Sequence, residues 1–413
     1  LQMISFTITE KGYALYRPDG SLMPVVQADI DEGPAHARHA MSMVAALLLE
    51  RFQNGAYPLA VVSMDNCSHN GEKLQTSVMT VAKAWLEKGF VGQDFIDYLS
   101  DETKITFPWS MIDKITPHPS ERVQEELGRL GVADMAIART NTGTLIAPFV
   151  NAEITEYLVL EDAFPNGRPA LEGAGVYLTD RTTVEKAEKM KVGTCLNPLH
   201  TALAVYGCLL GYTSIAAEMG DADLKALVEH IAAESLPVVE DPGILSPRAF
   251  IDEVLHERFP NPAIPDTPQR IAADTSQKLP VRYGGTLRRY ARQSEQALAG
   301  LEFAPLVFAG WCRYLLGVDD RGNAMPVSPD PMLPQLQAHL KGIEVGRPDS
   351  LAGQLRPILS NAALFGVDLY AAGLGERTEE MFRDMLAGPG AVRATLHRNC
   401  ACLLYTSDAA DDL

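Results

Sequence analysis

The chain has few cations for its size. Lys and Arg total 35 of 413 residues against 53 Asp and Glu, for a formal net charge of -18. Because a nucleic-acid-binding surface needs many cations to neutralise phosphates, this deficit argues against a nucleic-acid partner. An anionic ligand would have to be held by a few locally placed cations that act against the overall field.

Cysteine is scarce, and its placement bears on the compartment and on metal binding. The six cysteines are irregularly spaced, at Cys67, Cys195, Cys208, Cys312, Cys400 and Cys402. This is not the pattern of a secreted disulfide framework, and no signal-peptide pattern is visible, so we expect a cytoplasmic protein. Cys67 and His69 lie close together, but no second Cys or His pair stands nearby at ligand spacing, so we expect no metal.

Long apolar runs are absent with one exception. Residues 192 to 217 contain no Asp, Glu, Lys or Arg, and this stretch is long enough to span a bilayer. It nevertheless contains Asn197, Pro198 and His200. We therefore interpret it as a helix buried on all sides within a large domain, and we expect no membrane partner.

The pattern of apolar residues predicts two domains of different class. Strand and helix patterns first alternate, as strand 3 to 8, helix 34 to 52, strand 59 to 64, helix 72 to 88 and strand 157 to 160. This order predicts an α/β domain with a mostly parallel sheet over residues 1–180. Helical patterns then follow one another and predict an all-α domain over residues 181–398. Residues 399–413 fit nothing before them, and we expect them to be a non-native tail.

A polar loop follows the second strand pattern and is the first candidate site. Residues 63 to 71 read SMDNCSHNG and precede a helix. Loops at the carboxyl ends of parallel strands are where α/β sheets bind ligands. Asp, Asn and Gly also simply make good turns, so a well-capped loop without a ligand is the alternative.

The second candidate lies at the start of the uncharged run. Asn197 and His200 are three residues apart and share a face if the segment is helical. Lys189 and Lys191 precede them, and a lysine in apolar surroundings loses hydration of its charged form, which favours a neutral amine that can act as a base. The alternative is structural, with Asn197 as a helix cap before Pro198 and His200 as a satisfied core residue.

A third candidate lies further along the helical part. Arg270, Asp274 and Lys278 recur every four residues, which predicts one face of a single helix. Such a face is usually a solvated ladder of ion pairs. It can also supply the local cations that an anionic or polyhydroxylated substrate needs.

Four motifs occur in order along the chain: Thr9-Glu10-Lys11-Gly12-Tyr13, Ser63-Met64-Asp65-Asn66 followed by Asn70-Gly71, Lys191 followed by Asn197-Pro198-Leu199-His200, and Asp266 followed by Arg270-Ile271, Asp274 and Lys278-Leu279. They resemble the signatures of the polyol-specific long-chain dehydrogenase family, the group of mannitol 2-dehydrogenase and fructuronate reductase (mannonate oxidoreductase). The resemblance runs to about residue 398, with Met64 where the family commonly has Cys.

The resemblance implies an enzyme with a Rossmann-type cofactor domain, a helical catalytic domain, no metal, and NAD or NADP as cofactor, with NAD preferred. It implies that Lys191 is the general acid/base. Asn66 and Asn197 would hydrogen-bond the oxygen that gains charge, and His200 would hold a neighbouring hydroxyl.

The resemblance also implies residues that bind the rest of the ligands. Arg270, Asp113 and Lys278 would position the remainder of the sugar chain. Asp65, Asn66 and Thr9 would contact the cofactor.

One departure from the family concerns the catalytic lysine. Lys191 and Asn197 enclose five residues, whereas the family usually has four. At 100° per residue, an unbroken helix would set Lys191 about 180° from His200 and Lys189 about 20° from it. We expect a π-bulge near Gly193 that turns Lys191 toward the site, and Lys189 is the alternative base.

A second departure concerns the cofactor. No G-x-G-x-x-G follows a strand and opens a helix, although the family should carry such a turn for the pyrophosphate. We expect that turn to lie upstream of Leu1, and this N-terminally truncated chain to bind its cofactor poorly.

The resemblance thus implies a nicotinamide-dependent oxidoreductase that interconverts a sugar acid or polyol with its 2-keto form, and we expect D-mannonate and D-fructuronate. Mannitol and fructose are the nearest alternative pair, and a catalytically silent fragment or helical interaction module is the alternative of another class. A sugar acid needs a cation for its carboxylate, which Lys278 or Arg282 can provide.

Overall fold

A computed structural model describes residues 1–17, 19–141 and 143–401 of the chain. Its strands are β1 (Met3–Phe6), β2 (Leu59–Ser63), β3 (Ile105–Thr106), β4 (Ser110–Asp113), β5 (Ala138–Arg139), β6 (Leu145–Ile146), β7 (Tyr157–Glu161) and β8 (Tyr177–Thr179).

Its α-helices are α1 (Pro24–Glu32), α2 (Ala40–Gln53), α3 (Asn70–Glu87), α4 (Gln93–Ser100), α5 (Glu121–Arg129), α6 (Arg181–Met190), α7 (Asn197–Leu210), α8 (Ile215–Glu218), α9 (Ala222–Ser235), α10 (Pro247–Glu253), α11 (Pro268–Ile271), α12 (Thr275–Arg282), α13 (Gly284–Gln293), α14 (Glu295–Ala299), α15 (Phe303–Tyr314), α16 (Leu333–His339), α17 (Arg356–Leu359), α18 (Ala362–Phe365), α19 (Gly375–Met385) and α20 (Ala391–Ala401). Two π-helical segments occur at Lys191–Cys195 and Val254–Arg258.

The contacts within the chain define two compact units. The first unit comprises residues 1–114, 154–188 and 242–244, and the second comprises 115–153, 189–241 and 245 onward. Residues 115–153 therefore group with the helical unit, whereas the sequence pattern placed them in the first domain. Of the tail expected from residue 399, the first three residues end α20, and residues 402–413 lie outside the described part of the chain.

The first unit is built on a parallel sheet in the order β1-β2-β3. Every residue of β2 is buried, as expected for an apolar run covered on both faces. The register sets Phe6 opposite Ser63, so the loops after β1 and β2 leave the sheet at the same edge. The predicted α/β domain with a mostly parallel sheet is confirmed.

Alternate residues of β2 face two different cores. Val61 belongs to the larger apolar cluster with Trp85 and Phe95, and Val62 belongs to a smaller cluster with Leu160 on the other face. A second sheet has the order β4-β7-β8, with β4 antiparallel to β7 and β7 parallel to β8.

The second unit is helical, as predicted. Its central helix α7 is buried along most of its length and packs against α9, α11 and α15. The uncharged run is therefore a buried core helix, as interpreted from its polar residues. In the described ranges, no helix combines the length and the apolar character that crossing a membrane requires.

One predicted element is wrong. The segment with Arg270, Asp274 and Lys278 is not one helix, because α11 ends at Ile271 and α12 starts at Thr275. Asp274 between them is left-handed, with φ of 54°. Its backbone N–H donates to the carbonyl of Pro329 at 2.8 Å, which takes the residue out of the helical hydrogen-bond ladder.

Candidate active site

The turn after β1 is organised by one carboxylate from the loop after β2. Asp65 is buried and accepts hydrogen bonds from the backbone N–H groups of Ile8, at 3.0 Å, and Thr9, at 2.7 Å. The hydroxyl of Tyr13 also donates to Asp65, and burial together with this hydrogen bond raises the pKa of Tyr13. The carboxylate thereby holds Thr9 at a positive φ of 63° with an extended ψ of 161°, a combination that non-glycine residues rarely adopt.

The Asn-Gly pair at the start of α3 closes the same loop. The side-chain amide of Asn70 donates to the carbonyl of Asp65 at 2.9 Å and to the hydroxyl of Ser110 at 2.8 Å. At Gly71, a Cβ would come within 2.6 Å of the carbonyl oxygen of Phe107, so a larger residue does not fit. Asn70 and Gly71 therefore shape the loop that carries Asn66.

This edge of the first unit fits part of a nicotinamide cofactor. Asn66 and Ser68 are exposed, and a cleft nearby is lined by Glu10, His69 and Lys73 among others. An exposed carboxamide and hydroxyl suit an amide-bearing ring, and the carboxyl edge of a parallel sheet is where such rings bind. No G-x-G-x-x-G turn in the chain suits the pyrophosphate, so the fit concerns the nicotinamide end.

Two further observations concern the ligands expected in this unit. Asp113, predicted to position substrate, is the last residue of β4, is buried and lies opposite Tyr157. Over residues 1–17, 19–141 and 143–401, no three His, Cys, Asp or Glu side chains are arranged to hold a metal ion.

In the second unit, the helix break predicted from the lysine spacing is present. The π-helical segment Lys191–Cys195 follows α6, and the N–H of Leu196 donates to the carbonyl of Lys191 at 3.1 Å, five residues back. This confirms the predicted π-bulge. One additional residue turns Lys191 by about 100°, which leaves it about 80° from His200 instead of 180°.

The two candidate lysines have different environments. Lys191 is 1% exposed, whereas the side chain of Lys189 is 45% exposed and lies 3.8 Å from Glu240. Removal from water disfavours the charged form of an amine, and an exposed ion pair does not. Lys191, and not Lys189, therefore has the water-excluded environment that favours a neutral amine.

Asn197 is the first residue of α7 and not its cap. The cap position is Leu196, so the structural alternative that made Asn197 a helix cap is wrong. The backbone carbonyl of Asn197 accepts from the hydroxyl of Thr201 at 3.0 Å. Within the described residues no hydrogen bond engages its side-chain amide, which leaves that amide for a ligand oxygen.

His200 is joined to Arg270 by a carboxylate. Nε2 of His200 lies 3.2 Å from Oδ2 of Asp266, and Oδ1 of Asp266 accepts from Nε of Arg270 at 2.8 Å. His200 and Asp266 also line a small cleft with Phe259. Burial lowers the pKa of His200, so the imidazole is neutral near pH 7, and the ring nitrogen not facing Asp266 is an acceptor for a hydroxyl.

Lys278 and Arg282 lie on α12, which packs against α7 and the π-helical segment. The amine of Lys278 donates to the backbone carbonyls of Ile271, at 2.9 Å, and Ala273. Burial lowers the pKa of Lys278 to about 8. Lys278 thus helps to hold the bend between α11 and α12.

Asp266 was not predicted to have a role of its own beyond its place in a motif. Its four-residue spacing from Arg270 is the usual spacing of an ion pair, and this signal could have found the contact. A buried ion pair between Glu153 and Arg258, at 2.8 Å, was also missed, because its partners are 105 residues apart. Arg258 lines the same cleft as His200.

Comparison with known proteins places the chain beside sugar and polyol dehydrogenases. The family model described as Mannitol dehydrogenase Rossmann domain matches residues 2–173, and that described as Mannitol dehydrogenase C-terminal domain matches residues 183–377. The chain is 55% identical to the D-mannonate oxidoreductase of Thermotoga maritima over 398 residues, which cover 96% of this chain and 74% of the relative.

Two solved structures are similar in fold. A D-sorbitol dehydrogenase in substrate-free form superposes with a TM-score of 0.76 at 25% identity, over 96% of this chain and 75% of that one. The Pseudomonas fluorescens mannitol 2-dehydrogenase, in a ternary complex with NAD and D-mannitol, gives a TM-score of 0.66 at 28% identity, over 96% and 74% of the two chains.

Proposed function

The chain belongs to the mannitol dehydrogenase family, and on that premise we propose that it interconverts D-mannonate and D-fructuronate with a nicotinamide cofactor. It is an oxidoreductase of the sugar-acid and polyol class. The relative that is 55% identical bears the name D-mannonate oxidoreductase, which favours the sugar acid over the polyol.

The proposed base is Lys191. In the oxidative direction the substrate hydroxyl gives its proton to the neutral amine of Lys191 as the carbonyl forms, and in the reductive direction the ammonium returns it. The main support for this role is the π-helical segment, which begins at Lys191. This lysine is buried, and the next helix in the chain contains Asn197 and His200. Positioned proton transfer of this kind typically contributes about 10²–10⁴-fold to a rate.

The carboxamides are proposed to bind the reacting oxygen. The free side-chain amide of Asn197 donates a hydrogen bond to that oxygen, with Asn66 as the second donor. The acceptor nitrogen of His200 accepts a hydrogen bond from a neighbouring substrate hydroxyl. Arg270, whose side chain is 63% exposed, positions the rest of the sugar chain.

Asp113 and Lys278 are proposed to complete the substrate site. Asp113 is buried at the end of β4, and Lys278 is partly buried within α12. Lys278 contributes positive charge near Arg270, as the effect of Arg270 on its pKa indicates.

The cofactor is proposed to be NAD. When bound, the nicotinamide ring supplies the hydride chemistry of the reaction. Thr9 and Asn66 would contact the ring end, and Asp65 would act by holding Thr9 in place. The structure of a relative with NAD supports this choice. Five described cysteines are free, which fits the reducing cytoplasm that we propose as the compartment.

The test is a direct assay of the enzyme with both substrate pairs. We expect NADH-dependent reduction of D-fructuronate and NAD-dependent oxidation of D-mannonate, with a much lower kcat/KM for fructose and mannitol. A preference for mannitol would favour the alternative activity, which the similarity to mannitol 2-dehydrogenase allows. No turnover of either pair would support the silent module.

A further inference from the structure

Arg282, the last residue of α12, is a cation without a carboxylate partner in the described residues. Its Nη1 atom donates to the hydroxyl of Thr201 at 2.5 Å and to the carbonyl of Asn197 at 3.4 Å. No ion pair to Arg282 is present in that part of the chain. The Nε and Nη2 donors, which form the other edge of the guanidinium, are left for another group.

Arg282 lies near two other cationic side chains, Lys278 and Arg270. The charge of Arg282 lowers the pKa of both Lys278 and His200, in addition to the larger effect of burial, and Arg270 does the same. Burial lowers the pKa of Arg282 to about 10, so it remains charged at neutral pH. Three carboxylates lie near these cations: Asp266 is engaged by His200 and Arg270, Asp330 accepts from the hydroxyl of Ser276, and Asp274 acts on the pKa of Lys278. In the described residues none of the three pairs with Arg282.

This concentration of positive charge runs against the composition of the chain, whose net charge is -18. A guanidinium that loses water on burial, with neutral oxygens as its partners, is less stable than one paired with a carboxylate. A negatively charged group of a bound ligand would compensate the positive charge of Arg282. Arg282 is also tied to the carbonyl of Asn197, so such an anion would be held beside the proposed reacting centre.

We propose that Arg282 binds the carboxylate of the sugar acid and is the residue by which the enzyme distinguishes sugar acids from polyols. This inference rests on the proposed function, and it adds the group that recognises the acid. The planar guanidinium can donate two parallel hydrogen bonds to the two oxygens of a carboxylate. The terminal CH₂OH group of a polyol has a single neutral oxygen and cannot form this charged, two-point contact. Lys278 supplies additional positive potential.

A purely structural role for Arg282 predicts a different outcome. The hydrogen bond to Thr201 joins α12 to α7, and its loss would lower stability and affect all substrates alike. A carboxylate-binding role affects the acid selectively. The two roles are therefore separated by comparing an acid with a polyol in the same variant.

The experiment compares the wild-type enzyme with Arg282→Gln, Arg282→Lys and the control Thr201→Val, which removes the hydroxyl but keeps the guanidinium. We measure KM for D-mannonate, the inhibition constant of D-mannitol as a competitor, and the melting temperature. We expect Arg282→Gln to raise KM for D-mannonate about 100-fold, as for loss of a charged hydrogen-bonded pair, and to change the D-mannitol constant less than about 3-fold. Arg282→Lys should recover part of the loss, and Thr201→Val should change KM only slightly.

The inference is overturned if KM for D-mannonate is unchanged, or if both constants rise equally. If Arg282→Gln does not fold, Arg282→Lys is measured in its place. Lysine keeps the positive charge but cannot donate two parallel hydrogen bonds, so a carboxylate-binding role predicts a higher KM for D-mannonate and an unchanged D-mannitol constant. A wild-type enzyme that does not turn over D-mannonate contradicts the proposed function, which is a separate result.

Discussion

Nε2 of His200 lies 3.2 Å from Oδ2 of Asp266, and the other oxygen of the same carboxylate receives Arg270. Burial by itself would raise the pKa of Asp266, but hydrogen bonds from His200 and Arg270 outweigh it and hold the pKa below its usual value. One ionised carboxylate therefore orients two residues that we propose to bind substrate. The orientation fixes the ring nitrogen of His200 that faces a substrate hydroxyl.

The variant Asp266→Asn keeps the shape of this residue and removes its charge. We expect KM for D-mannonate to rise about 10-fold or more, with a smaller change in kcat, because the orienting partner of two binding groups is weakened. Steady-state kinetics measure both constants. The control is Asp274→Asn, an exposed left-handed position that Asn tolerates, for which we expect constants close to wild type. Equal effects of the two substitutions would exclude a specific role for Asp266.

Glu218 gives a prediction for pH-dependent stability. Its side chain is fully buried, neither carboxyl oxygen has a hydrogen-bond partner in the described residues, and burial raises its pKa to about 9. The carboxyl lies against Gly207, where a Cβ would come within 2.1 Å of Oε1. Glu218 is therefore a neutral acid in the folded protein at pH 7.

The sign of the effect follows from proton binding. Between the ordinary pKa of 4.5 and about 9, the folded state keeps the proton of Glu218 and the unfolded state loses it, so stability falls as the pH rises. The variant Glu218→Gln lacks this titration. We expect its stability relative to wild type to increase by up to about 1.4 kcal/mol per pH unit in that window. Denaturant unfolding from pH 5 to 9 measures the difference, and a constant difference would show that Glu218 is ionised in the fold.

Gly71 gives a prediction for the cofactor loop. A Cβ at this position meets backbone carbonyl oxygens of Phe107 and Pro108, at 2.6 and 2.9 Å, which cannot move as a side chain can. We expect Gly71→Ala to lower the free energy of unfolding by about 1–3 kcal/mol and to weaken NADH binding. Gly128→Ala is the matched control, since it lies in α5 with open space around it, and it should be neutral or slightly stabilising. Denaturation and NADH fluorescence titration check both, and a stable Gly71→Ala protein would refute the close approach.

Local patterns were sufficient for much of the fold. The apolar run of β2, the helix after it and the start of the helical part at residue 181 follow from periodicity alone. The π-helical segment was predicted from the spacing of Lys191 and Asn197. They enclose one residue more than is usual in the family, and a π-bulge accommodates one additional residue in a helix. The burial of Lys191 could be inferred from the apolar residues beside it.

Contacts between distant residues were beyond local patterns. The break at Asp274 depends on the carbonyl of Pro329, and the burial of Glu218 depends on its packing against α7. Strands β4 to β6 are short and their sequence has no clear alternation, so they were not predicted. That Arg282 pairs with no carboxylate in the described residues depends on the packing of α12, which sequence spacing does not reveal.

We propose Lys191, and not Lys189, as the base, and the kcat values of two variants of the enzyme distinguish these lysines. We expect Lys191→Ala to lower kcat for D-mannonate oxidation by about 10²–10⁴-fold with NADH affinity nearly unchanged, and Lys189→Ala to stay within a few-fold of wild type. The reverse pattern, with Lys189→Ala inactive and Lys191→Ala active, would contradict it.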